Sequence, residues 1–325
     1  LNGVTIRPEN YVRVEQAVKE LHYSMNYVAK SMKTQKSYTV GVVVPQLGDA
    51  YSGSILSEIE KILYEHGYNL MICDSGAEKE KELERIRFLA SRSVDGLFLF
   101  PSQREYGKGL GLPEGLPLIT LDGRIEGYDS VCTGDRQSVA RAVGLLKEKG
   151  HRRIAFFNGP LHFFTAQERY SGYMDGLKAA GLPLVEELVS NRSFGREVSL
   201  DMGRMLALPQ PPTAVIASNY YTTLGLLHYA GEEGISIPEE LSVVGMDKME
   251  MISLFYPGLS VIERPAQAMG RLAGERMLRR LLSPEGRELP PEDFLLENSY
   301  FPGSTAGAPA SSKEEEKESM EYFLL

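Results

Sequence analysis

From Val40 onward the sequence alternates short, almost wholly apolar runs with longer stretches whose apolar residues recur at helical spacing. TVGVVVP (39–45), YNLMICD (68–74), DGLFLFP (95–101) and PLITLD (117–122) have few polar interruptions. Runs of this kind predict strands buried on both faces, as in a parallel sheet covered by helices. Between them, SILSEIEKILYEHG (54–67) sets Ile55, Ile59 and Ile62, with Leu56 and Leu63, on one helical face and ends in Gly67, a good helix stop. EKELERIRFLASRS (80–93) repeats the arrangement, so the first half reads as a βαβ series with right-handed crossovers. RRIAFFN (152–158), TAVIASN (213–219) and LSVVGMD (241–247) restart the pattern, with helices expected near 166–180, 197–207, 221–233 and 267–282. The expected fold class is α/β: two doubly wound parallel-sheet lobes. A chain of 325 residues is long enough for both.

In open α/β sheets, ligands lie beyond the carboxyl ends of the strands. That makes Asp122, Asn219 and Asp247 the first candidates for a site between the lobes. Asp and Asn also cap helices and make turns, and this reading stays open for each.

Composition removes several function classes. No apolar run approaches the ~20 residues that cross a bilayer, and the first residues lack the basic-then-apolar layout of a secretory leader, so a cytoplasmic protein with no membrane partner is expected. Cys73 and Cys132 are too few for a disulfide framework and lack zinc-ligand spacing, and the 5 His form no H-E-x-x-H pattern. There is no G-x-x-x-x-G-K-[ST] and no G-x-S-x-G, while GLGLPEG (109–115) reads as turns. No enzyme, metal site or cofactor is expected.

The two ends differ from the body. Residues 1–37 carry Arg7, Arg13, Lys19, Lys30, Lys33 and Lys36 against Glu9, Glu15 and Glu20, in a chain of net charge -9. A basic leading segment on an acidic body points toward a polyanion at that end. Val14, Val18 and Leu21 recur at helical spacing behind Pro8. NYVAKSMK (26–33) then offers Asn26 as a cap for one or two turns, too short to stand alone in water. Charge by itself favours a solvated basic linker there. Residues 306–319 are small or charged, Met320, Tyr322, Phe323, Leu324 and Leu325 close the chain, and 306–325 is expected to be a disordered acidic tail.

These residues carry a family likeness. LNG, RVEQAVKELHYSMNYVAKSMK, VGVVVPQLGDAY, SRSVDGLFLFPS, GHRRIAFFNGP, ERYSGYMDGL, PEELSVVGMD and LSVIERPAQAMGRLAGERML follow one another as do the landmarks of the lac repressor and gal repressor family, which residues 1–305 resemble. The resemblance implies a periplasmic-binding-protein-like core whose lobes are joined by three crossovers, carried as a homodimer. It divides the chain into a partial helix-turn-helix headpiece and hinge helix (1–37), a first lobe (about 38–134 and 264–293) and a second lobe (about 135–263 and 294–305). It also implies that the chain starts just after the recognition helix, so that operator DNA is the partner only with the preceding helices present.

For the hinge, the resemblance implies a short helix that folds on DNA and wedges an apolar side chain into the minor groove. It places Asn26, Tyr27, Ala29, Lys30, Ser31, Met32 and Lys33 there, with Met32 as the wedge and Lys30, Lys33 and Lys36 near phosphates. For the core, it implies a small effector, a saccharide or nucleoside, held by Tyr51, Asp122, Thr165, Arg169, Phe194, Asn219, Asp247 and Arg264. An Arg fork, two carboxylates and an amide suit adjacent hydroxyls, and Phe194 or Tyr51 would cover the face of a ring. Three departures from the family pattern are Asn219-Tyr220 after the seventh strand, Gly134-Asp135-Arg136-Gln137-Ser138-Val139 near the lobe boundary, and Phe163-Phe164 where relatives place polar contacts. A solute-binding protein without DNA binding has the same lobes and is the alternative.

Overall fold

The computed structural model describes residues 8–20, 36–106, 109–192, 196–247, 258–283, 286 and 289–310. Two sheets, each of 6 strands, the first wholly parallel and the second mixed, organise the described chain. The first has the order β11-β5-β4-β3-β1-β2 and is built from β1 (Thr39–Val44), β2 (Asn69–Asp74), β3 (Gly96–Leu99), β4 (Leu118–Leu121), β5 (Asp129–Thr133) and β11 (Asp293–Leu296). The second has the order β12-β10-β9-β8-β6-β7, from β6 (Ile154–Asn158), β7 (Val189–Asn191), β8 (Ala214–Ala217), β9 (Ser242–Met246), β10 (Ser260–Glu263) and β12 (Ser299–Phe301). All pairings are parallel except β10 with β12. The chain passes from one sheet to the other after Thr133, after Glu263 and after Leu296, giving the two-lobe fold expected from the apolar runs.

Each lobe closes its sheet with helices on both faces. In the first, α2 (Ala50–Glu65) is capped by Asp49, whose carboxylate accepts from Ser52 N at 3.0 Å, and buries Ile55, Ile59 and Leu63. It packs on α8 (Ala266–Leu282), where a Cβ on Gly270 would lie 2.4 Å from Ile55 O. α3 (Lys79–Ser91) covers the other face. In the second lobe, α4 (Asp135–Glu148) and α5 (Phe164–Ala179) cross closely, because a Cβ on Gly172 would lie 2.2 Å from Arg136 O. α6 (Arg196–Leu206) and α7 (Tyr220–Glu233) cover the opposite face. α1 (Pro8–Glu20) precedes the lobes.

Three expectations need correction. β2 is not buried on both faces: it is a sheet edge, and Ile72 is 40% exposed. The third passage between lobes falls after Leu296, later than residue 293, because Phe294–Leu296 pair with Val131–Thr133. The tail does not leave the body at residue 306. Ala306 is buried, and Gly307 O meets His151 Nε2 at 2.9 Å while Gly307 N donates to Ser242 Oγ at 3.0 Å. Residues 311–325 lie outside the described residues. Among the described residues, no helix is long and apolar enough to cross a membrane.

Candidate functional site

A cleft of about 530 Å³ opens between the lobes at the carboxyl ends of the strands. β4 and β9 end there in Asp122 and Asp247, and both residues hold left-handed backbone, at φ 53° and 67°. That conformation is strained for a residue with a Cβ and persists when neighbours enforce it. Here Asp122 N donates to Val131 O at 3.0 Å and Asp247 N to Ile262 O at 2.8 Å, so the adjacent strands fix both carboxylates.

Arg264, at the end of β10, joins them. Its Nε and Nη2 donate to the two oxygens of Asp247, each at 2.8 Å, and Nη1 donates to Asp122 at 2.9 Å. The guanidinium lies 3.4 Å from the Tyr51 ring centroid, and Tyr51 OH donates to Asp122 at 3.5 Å. Asp122 comes from the first sheet and Asp247 from the second, so this cluster ties one lobe to the other. Tyr221 OH, donating to Gly48 O at 3.4 Å, adds a second tie at the rim.

One guanidinium cannot neutralise two buried carboxylates. Burial, against the pull of Arg264, pushes the Asp122 carboxyl up to about 6, and the nearby charges of Asp135 and Asp247 push the same way. Burial opposes the charge on Arg264, but Asp247, Tyr51 and Asp122 outweigh it and hold the guanidinium firmly protonated. Burial also raises the Tyr51 phenol.

A second buried ion pair forms the floor. Arg169 of α5 donates from Nε to Asp135 at 2.6 Å and from Nη1 to Ser218 O at 2.7 Å. Asp135, the first residue of α4, also accepts from Thr133 Oγ1 at 2.7 Å and Asn298 Nδ2 at 3.0 Å. Burial pushes its carboxyl up, yet Arg169 outweighs that and holds it below the usual range. Sequence reasoning placed Asp135 at a loop and helix start near the lobe boundary and gave it no role. The available signal was a carboxylate opening the helix that follows the first crossing, in a chain with a buried Arg to match.

Asn219 both caps a helix and lines the cleft. Its Oδ1 accepts from Thr222 N at 2.9 Å, capping α7, while its Nδ2 is buried without a hydrogen-bond partner. Thr165 lines the cleft in the first turn of α5. Phe163 lines it too. Phe164 instead faces a second depression, with Arg104 and Arg124 each 5.8 Å from its ring centroid. The structure thus places Tyr51, Asp122, Thr165, Arg169, Asn219, Asp247 and Arg264 around one cavity. Phe194 and the hinge residues Asn26, Tyr27, Ala29, Lys30, Ser31, Met32 and Lys33 lie outside the described residues. Among the described residues, no group of His, Cys, Asp and Glu has a metal-holding arrangement.

Comparison with known proteins agrees with this architecture. Residues 143–305 match the periplasmic binding protein-like domain. The chain is 30% identical over 274 residues to the HTH-type transcriptional repressor PurR of Vibrio atlanticus, covering 83% of this chain and 82% of the relative. The PurR of Vibrio cholerae serotype O1 is 30% identical over 280 residues, with 84% and 83% covered. Among solved structures, the lac repressor dimer bound to operator and the anti-inducer ONPF superposes with a TM-score of 0.82 at 22% identity, covering 94% of this chain and 92% of that one. A periplasmic binding protein/LacI transcriptional regulator from Alkaliphilus metalliredigens, complexed with D-xylulofuranose, gives a TM-score of 0.70 at 22% identity, covering 83% and 99%. The chain belongs to the lac repressor and gal repressor family of transcription regulators, with that family's periplasmic-binding-protein-like core.

Proposed function

We propose that the protein is a ligand-responsive transcriptional repressor. It acts as a homodimer on operator DNA, and its core takes a small effector between the lobes. The observation that carries this reading is the cleft itself: Arg264 bridges carboxylates of opposite lobes, beside a buried amide donor on Asn219 that has no partner among the described residues. A ligand seated there touches both lobes at once and so favours one lobe arrangement over another. It changes DNA affinity only by its differential affinity for the two arrangements, typically 1–3 kcal/mol or about 5- to 150-fold. The hinge residues Asn26, Tyr27 and Ala29–Lys33 contact DNA in this reading, with Met32 entering the minor groove and the lysines giving salt-sensitive phosphate contacts.

The test selects duplexes bound by the protein from a random-sequence pool. Fluorescence anisotropy on the selected duplex then follows affinity with and without a cleft ligand. A ligand-dependent change within the range above is expected. If no sequence is enriched while the same protein binds a small molecule in the cleft, the solute-binding alternative replaces this reading.

A further inference from the structure

We propose that Arg264 sets the class of effector, and that the cleft takes an uncharged, mainly apolar ring bearing a carbonyl-type acceptor rather than a polyhydroxylated molecule. This rests on the reading of the cleft as an effector site. A polyol is held by carboxylates that accept from adjacent hydroxyls. The carboxylates that would do so, Asp122 and Asp247, are buried and already accept three N–H donors of Arg264. Each carboxylate keeps further lone pairs, but turning both away from Arg264 onto a polyol would strand a buried guanidinium.

The other cleft acids are engaged as well. Asp49 accepts from Ser52 N and Oγ at 3.0 and 2.6 Å, and Asp74 accepts from Leu47 N and Gly76 N at 2.8 and 2.7 Å. Two donors of the cleft are uncommitted among the described residues. Asn219 Nδ2 is buried without a partner, and Nη2 of Arg169 makes no hydrogen bond among the described residues, since Nε and Nη1 carry its contacts. Asn219 is only 9% exposed, so its orphan amide is a substantial desolvation penalty that a ligand acceptor would remove.

The face of Tyr51 expected to stack on a sugar ring is occupied by Arg264. The remaining walls are apolar or aromatic, including Pro45, Phe100, Leu121, Phe163 and Tyr220. An anion would meet the surplus of cleft carboxylates, and a cation would meet two donors. An uncharged acceptor satisfies both constraints.

The experiment is a thermal-shift and calorimetric comparison of two probe panels, benzamide, nicotinamide and uracil against D-ribose, D-xylose and D-glucose. Three proteins are compared: the wild type, Asn219→Asp and Arg264→Gln. Asn219→Asp keeps the oxygen that caps α7 and replaces the donor by an acceptor. The wild type is expected to be stabilised by a member of the first panel and by none of the second, because a ligand of the native state raises the melting temperature. Asn219→Asp should weaken that binding by about tenfold or more, since it sets acceptor against acceptor. Arg264→Gln should gain affinity for a sugar through the freed carboxylates. If Arg264→Gln fails to fold, Asn219→Asp still decides. Sugar binding to the wild type that changes in Asn219→Asp overturns the class and leaves the cleft reading intact. Binding of either panel that is unaltered in both variants overturns both. Stabilisation by neither panel overturns the class.

Discussion

Two buried Asp–Arg clusters, built from the same chemistry, are balanced in opposite ways. Inside the first lobe, Asp129 is 1% exposed and is gripped by Arg276 through bonds of 3.1 and 3.0 Å, by Arg280 through bonds of 2.8 and 2.9 Å, and by Glu292 N at 2.9 Å. Burial pushes its carboxyl up, but Arg280 and Arg276 outweigh that and hold it below the usual range. In the cleft the ratio is inverted: Arg264 serves two carboxylates, and Asp122 rises to about 6. The first cluster joins α8, β5 and the strand approach at Glu292 within one lobe; the second spans two. Inside a lobe, two guanidiniums match Asp129 and the part-exposed Glu292, whose carboxylate lies 2.9 Å from Arg276 Nη1, and make a permanent fastening. Surplus anion between lobes leaves a joint that a proton or a ligand can loosen.

Breaking the first cluster should therefore cost most. Asp129→Ala leaves the buried Arg280 without a carboxylate and Arg276 with Glu292 alone, and should destabilise the fold by about 3–5 kcal/mol, the range for removing one partner of a buried ion pair. A fall in the urea midpoint measures it, and a loss under about 1 kcal/mol would erase the contrast. Arg264→Met should cost less, about 1–3 kcal/mol, because Asp122 is poised to take up a proton and the cleft admits water. Its larger effect should be geometric, with small-angle scattering recording a larger radius of gyration as the lobes part. An unchanged radius would show that other contacts hold the lobes. Arg169→Ala is not neutral for the fold either, since it strands Asp135 at 2% exposure.

The sheets were legible because period and apolarity are local properties. TVGVVVP, DGLFLFP and LSVVGMD can form little except buried strands, and Asp122, Asn219 and Asp247 mark where they end. β5, β7, β11 and β12 escaped the same reading because DSVCT, VSN, DFLL and SYF are short or polar. β5 tolerates Asp129 and Ser130 in its core only because α8 sends Arg276 and Arg280 inward, and a helical pattern read alone turns those arginines to solvent. The cleft residues were named from family likeness together with strand ends. What neither source could supply was who pairs with whom: Arg264 reaches Asp122 across 142 positions and from the other lobe, and Asp135 meets Arg169, 34 positions on, only because α4 and α5 cross.

The smallest predicted effect is the most specific to the cleft. A free aspartate titrates near 3.8, and Asp122 in the folded protein titrates at about 6, so the folded state keeps this proton longer than the unfolded one. The stability this group contributes is fully present below pH 3.8 and is lost as pH rises through about 6. Asp122→Asn fixes the uncharged form, so the variant should lack that loss. The difference in melting temperature between variant and wild type should therefore move in the variant's favour as the buffer is raised from pH 4 to pH 7, by a few degrees at most. His151 works the other way: burial lowers its titration below 6.5, so its contribution fades as pH falls. Because His151 is the same in both proteins, it cancels in the difference, which isolates Asp122. A flat difference across that interval would mean that Arg264 fully compensates both carboxylates, and the inverted balance that separates the cleft from the Asp129 cluster would be gone.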